Sequence, residues 1–98
     1  MVAYHLIRNG EVLGSLEDEA PDFPWSVGVF RPTSAFESVR PAIEHARAVL
    51  KAGRWREEEE AWEAMRASGL CLKPVDPDDD LITDFVLHID GDRFALRY

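Results

Sequence analysis

The chain has 98 residues, a formal net charge of −8 and a sequence pI near 4.7. That length fits a single domain, residues 1–98, of modest stability, since a chain this size buries only about 60–65% of its unfolded surface. An acidic balance with scattered basic residues excludes a nucleic-acid-binding face, and three Trp, two Tyr and five Phe supply a core and exclude general disorder.

Residues 2–17 read as a β-hairpin. Asn9-Gly10 is the favoured pair for a type I′ turn, because both positions need positive φ. The turn places Arg8 opposite Glu11, Ile7 opposite Val12 and Leu6 opposite Leu13. Both resulting faces are partly apolar, so alternation does not say which meets the core. The acidic segment Glu17–Asp22 reads as a loop. Residues 25–31 alternate as a third strand, with Trp25, Val27 and Val29 on one face, assigned to the core, and Ser26, Gly28 and Phe30 on the other. Pro24 and Pro32 bracket it.

The first helix is expected from Thr33 or Ser34, with Ser34 and Glu37 as a capping box. Phe36, Val39, Ile43, Ala46 and Leu50 recur at steps of three and four, which is one buried stripe. Pro41 removes a donor inside this pattern and predicts a kink, or a short helix leading into a second one. A second helix is expected over 55–68, with Trp55, Trp62 and Met65 as its apolar stripe. Glu57–Glu60 lie near its N-terminus as a solvated face that suits the helix dipole. The short link through Gly53 makes the two helices an antiparallel pair.

Residues 70–75 read as a fourth strand and Asp76–Asp80 as an acidic loop. A closing hairpin runs from Leu81 to Ile89, through a turn at Asp90-Gly91, to Asp92–Tyr98. In that register Leu87 faces Phe94 and Phe85 faces Leu96 on an apolar side. His88 faces Arg93 and Asp84 faces Arg97 on a polar one. The order βββααβββ defines an α+β domain: an antiparallel sheet with one face covered by an antiparallel helical hairpin.

Chemistry-bearing motifs are sparse. Counting an EF-hand loop from Asp76 or Asp78 puts no glycine at its sixth position and no glutamate at its twelfth. His5, His45 and His88 have no metal-ligand spacing, although His5 and His88 would meet if the terminal hairpins paired. Cys71 sits in the apolar run Leu70-Cys71-Leu72, where burial raises its pKa and leaves it inert. No nucleophile elbow or phosphate loop occurs, so no catalytic residue, metal or cofactor is assigned. No basic segment leads into an apolar stretch, and no apolar run nears the ~20 residues of a membrane span, so a cytoplasmic protein without membrane contact is expected.

The pattern Asp22-Phe23-Pro24-Trp25, then Gly28-x-Phe30-x-Pro32-Thr33, then Ala35-Phe36-Glu37-x-x-Arg40-Pro41 resembles that of small uncharacterised bacterial proteins. The resemblance spans most of the chain and implies no activity and no site residues.

Three readings of function follow. In the first, the chain is a small acidic protein-interaction domain, an inhibitor or immunity-type binder of a basic partner. Its candidate surface is Asp18, Glu19, Asp22, Phe23 and Phe30, because aromatic residues beside an acidic segment favour recognition. In the second, it is a small-molecule binder or enzyme, with a pocket between sheet and helices lined by Trp25, Trp55 and Trp62. A homodimer through an edge strand or sheet face is a third reading.

Overall fold

The computed structural model describes residues 2–22 and 25–98, with the backbone alone for residues 20–22. Six strands and two helices follow the order βββααβββ. They are β1 (Val2–Arg8), β2 (Glu11–Asp22), β3 (Trp25–Pro32), α1 (Arg40–Lys51), α2 (Trp55–Ala67), β4 (Leu70–Pro74), β5 (Val86–Asp90) and β6 (Arg93–Arg97). A short 3-10 helix, Ser34–Ser38, precedes α1. The strands form one antiparallel sheet in the order β4-β1-β2-β3-β6-β5.

The sheet is strongly curled. Laid flat, six strands would hold β4 and β5 about 24 Å apart, at roughly 4.8 Å per step. Yet Ile82 pairs with Leu72 of β4, and β5 begins at Val86, four residues later. Four residues reach about 14 Å at most, so the two edges must bend toward each other. The helical hairpin closes the concave side, with α1 against β5 and α2 against β4. Leu6, Leu16, Phe30, Phe36, Ile43, Trp62, Phe85, Leu87 and Leu96 fill the space between as one core.

β1 and β2 join through Asn9 and Gly10, whose φ values of 52° and 81° are those a type I′ turn needs. The register then departs from simple alternation. Arg8 pairs with Glu11 and Ile7 with Val12, but Leu6 pairs with Gly14. Leu13 is the extra residue of a β-bulge, which turns Leu13 and Leu16 to the same side as Leu6. Gly14 is required by space. A Cβ there would lie 2.5 Å from Cζ of Phe30, so the missing side chain makes room for that ring.

The acidic segment Glu17–Asp22 is strand, not loop, since β2 continues to Asp22 and pairs with β3 as far as Trp25. The face assignment of β3 is reversed. Gly28 and Phe30 point into the core, while Trp25, Val27 and Val29 are half-buried on the convex face. Phe30 packs edge-on against Phe36 with ring centroids 4.8 Å apart. Gly28 lets β3 close on β2, where a Cβ would fall 1.9 Å from the Glu17 carbonyl oxygen. Alternation says that two faces exist; which one is covered depends on where Phe36 comes to rest.

Pro41 occupies the first turn of α1, where its missing N–H is no loss, and the 3-10 helix ahead of it absorbs the change of direction. The capping box does not form. Thr33 takes the N-cap of the 3-10 helix, and its hydroxyl donates to the Val12 carbonyl at 2.8 Å. The buried stripe of α1 ends on Val49, and Leu50 is exposed. In α2, Trp62 and Met65 are buried as expected, but Trp55 is exposed and Glu58 is buried. The last hairpin turns at Gly91-Asp92, one residue later than expected, so Asp90 pairs with Arg93 and Leu87 with Leu96. Of these two turn residues only Gly91 has positive φ, 63°, as a type II′ turn requires.

Candidate functional site

The residues picked out around the β2–β3 corner do not form one surface. Asp18 and Glu19 are exposed near the far end of β2, which continues beyond the Val2–Glu17 pair of the neighbouring strand. Glu19 is skipped in the pairing with β3, and both its carboxylate oxygens accept from Nη1 of Arg93, at 2.8 and 2.9 Å. That hydrogen bond holds its carboxyl below the ordinary carboxylate range. Glu17 is held down in the same way by Arg31. The Asp22 side chain and all of Phe23 lie outside the described residues. Phe30 is only 1% exposed and leaves the candidate surface, because its ring is the packing partner of Phe36.

Nor do the three tryptophans line a pocket. Trp62 is buried in the core, with its ring 5.8 Å from that of Phe85. Trp55 is 58% exposed at the start of α2, with the Arg56 guanidinium 5.6 Å from its centroid. Trp25 sits on the opposite side of the sheet from the helices, between His88 (5.3 Å) and Arg97 (5.5 Å). A helix stripe and a strand face cannot be brought together from periodicity alone when the strand face is misassigned.

The ion pairs divide the molecule. On the sheet, Glu17 pairs with Arg31 and Glu19 with Arg93; at the helix ends Arg40, Arg47, Arg54 and Arg66 pair with Glu37, Asp90, Glu57 and Asp84. Along α2, by contrast, Glu59, Glu60 and Glu63 are exposed, and their spacing places them on one flank. The segment that follows β4 adds Asp76, Asp78, Asp79 and Asp80, all exposed. Within that segment Asp76 organises a turn: its Oδ1 accepts from the Asp78 N–H at 3.0 Å and its carbonyl from the Asp79 N–H at 3.1 Å. Among the described residues none of these seven carboxylates has a cation partner.

The chain just ahead of β5 runs against α2, whereas Asp79 and Asp80 lie beside Tyr4, Ile82 and Tyr98. Trp62 and Arg66 of α2 touch Phe85 and Asp84, where the segment passes beneath the helix on its way to β5. A sequence reading treats both acidic runs as solvated turns and helix faces, and no local signal distinguishes those from a recognition surface. Arg56 and Arg66 stand three residues from Glu59 and Glu63, an ion-pairing offset on a helix, but Arg56 lies over Trp55 and Arg66 reaches Asp84, which spacing alone does not foretell. Glu58 is the exception within its run. It is 9% exposed, and its Oε2 has no hydrogen-bond partner among the described residues.

His5 and His88 do not meet, because β2, β3 and β6 stand between their strands. Burial holds the His88 imidazole below its ordinary pKa, with Glu58 opposing and Arg47 reinforcing that shift. Cys71 is buried on β4, and burial pushes its thiol up, away from nucleophilic use. Among the described residues no three His, Cys, Asp or Glu side chains converge as they would around a metal ion, and no helix is long and apolar enough to cross a membrane. Set beside known proteins, the chain matches no family model, no curated protein and no solved structure.

Proposed function

We propose that this chain is a binding module for another protein, a basic one, and that it meets that partner with its unpaired acids, above all the glutamate flank of α2. The observation that supports this reading is the uneven pairing of charge. Glu17 and Glu19 on the sheet and Glu37, Asp90, Glu57 and Asp84 around the helices pair with arginines, while Glu59, Glu60, Glu63 and the aspartates Asp76, Asp78, Asp79 and Asp80 do not. Unpaired like charge on one flank raises the local potential and steers a cationic partner toward it. It also destabilises the free domain slightly, so a partner that supplies cations relieves repulsion as it binds. Neighbouring Glu57 is already engaged with Arg54, which confines the free charge to the outer side of the helix.

The test uses the intact protein on beads, exposed to host lysate at low and at high salt, beside a triple variant Glu59→Lys, Glu60→Lys, Glu63→Lys. Captured basic proteins should be released by salt, since exposed charges more than about 10 Å apart are screened at 0.1 M. They should be absent from the triple variant and retained by Asp18→Lys. Equal capture by the triple variant would overturn the assignment of this flank, and circular dichroism confirms that the exposed substitutions leave the fold intact.

A further inference from the structure

Between the first half of α1 and the second half of α2 lies a cleft of about 370 Å³. Ala42 of α1 and Ala61 and Ala64 of α2 form its walls, and Val39 and Met65 its floor. Small side chains on both helices create the space; a Leu at any of the three would fill it.

Arg8 closes one end. It reaches up from β1, half-buried, and its Nη2 donates to Ser38 Oγ at 2.6 Å. Its cross-strand neighbour Glu11 does not pair with it. Of the other eight arginines, six hold carboxylates and two, Arg56 and Arg97, lie over tryptophan rings. Among the described residues Arg8 alone has neither, in a chain with 19 acidic residues.

The two hydroxyls at this end are already committed as donors. Ser38 Oγ–H donates to the Ala35 carbonyl at 2.8 Å and Ser68 Oγ–H to the Met65 carbonyl at 2.6 Å. The Arg8 guanidinium and the exposed His45 imidazole, which also lines the cleft, therefore carry the free hydrogen-bonding capacity, and that of Arg8 is all donor. A planar carboxylate matches such a fork in two parallel bonds. A dianion would find in Arg8 the one permanent cation of the lining, with His45 beside it, and the apolar walls call for an apolar body. From these features we infer that the cleft binds a small monocarboxylate with an aliphatic chain, its head on Arg8 and its chain between Ala42 and Ala64. This site is separate from the acidic flank, and the two stand or fall independently.

Octanoate is the probe, with 1-octanol, acetate and inorganic phosphate as its dissected halves, each titrated into the isotope-labelled intact protein and followed by NMR. Octanoate should shift the amides of Ala42, Ala61 and Ala64 in a saturable way and bind roughly 10-fold or more tightly than 1-octanol, the margin a charged hydrogen bond supplies. It should also outbind acetate and phosphate. Arg8→Gln should remove that margin over octanol, Arg8→Lys should restore part of it, and Ala64→Leu, at an exposed position, should abolish binding with the fold intact. The inference fails if octanoate does not saturate below its micellar concentration. It fails equally if octanol or phosphate binds as well, or if Ala64→Leu leaves the affinity unchanged.

Discussion

The N-terminal hairpin β1–β2 and the C-terminal hairpin β5–β6 each close on a two-residue turn, and each carries alternating apolar residues. Their readings fail in opposite ways. In β5–β6 the turn is displaced by one residue, so every pair differs from expectation, yet Phe85, Leu87, Phe94 and Leu96 are all buried as the alternation predicts. Moving a turn by one residue shifts each pairing by two positions in all, and a period of two is blind to that. In β1–β2 the turn is where Asn9-Gly10 puts it, yet the faces are scrambled beyond Val12. One inserted residue, Leu13, reverses the parity of everything after it. Turn chemistry and face assignment are separate pieces of information, and a bulge uncouples them.

The sharpest way to test this contrast is Phe30, which lies downstream of the bulge on β3. Phe30→Ala should cost about 3–5 kcal/mol, because it empties the contact with Phe36. Trp25→Ala, on the convex face, should cost no more than about 1–2 kcal/mol despite the larger side chain. Urea unfolding of both variants decides it, and the reverse order would mean that the face is wrongly assigned.

A smaller effect belongs to the bulge itself. Gly14→Ala sets a Cβ against the Phe30 ring and should destabilise by about 1–3 kcal/mol. Ala95→Val, at a half-buried position of the bulge-free hairpin, should stay within about 0.5 kcal/mol. Thermal melts of the two variants measure the difference, and equal losses would remove the distinction between the hairpins.

The smallest effect is a pH dependence split between the same regions. His88 on β5 has a folded pKa below its ordinary 6.5. Between those values the unfolded chain binds more protons, so stability present above pH 6.5 is lost as pH falls below it. Glu17 and Glu19 on β2 have folded values below 4.5, so their contribution is lost only as pH falls further. Melting temperature against pH should therefore drop in two stages. His88→Phe keeps a ring against Trp25 and should erase only the upper stage; its persistence would show that another group titrates there.

Much of the fold is legible in the residues. Asn9-Gly10, the stripe Phe36-Val39-Ile43-Ala46, Gly53 between the helices and the apolar side of the last hairpin each carry a local signal with a physical cause. The candidate sites were less legible. Phe30 and Trp25 exchange roles because strand parity offers two equal choices. Trp55 and Glu58 exchange expected burial because a helix stripe is broad enough to rotate by one position when Trp62 takes the core. The acidic flank and the Arg8 cleft depend on which charges find partners across the chain, and pairings such as Glu19 with Arg93 or Arg47 with Asp90 span 74 and 43 residues.

The sequence by itself determined the class, the element order and the helical hairpin, because these rest on periodicity and turn chemistry acting over a few residues. Only the tertiary structure decided the curl of the sheet, the covered face of β3, the arginine left without a carboxylate and the acids left without a base. Each of those is a competition among residues far apart in the chain, and it is resolved by which of them the fold brings within a few ångströms.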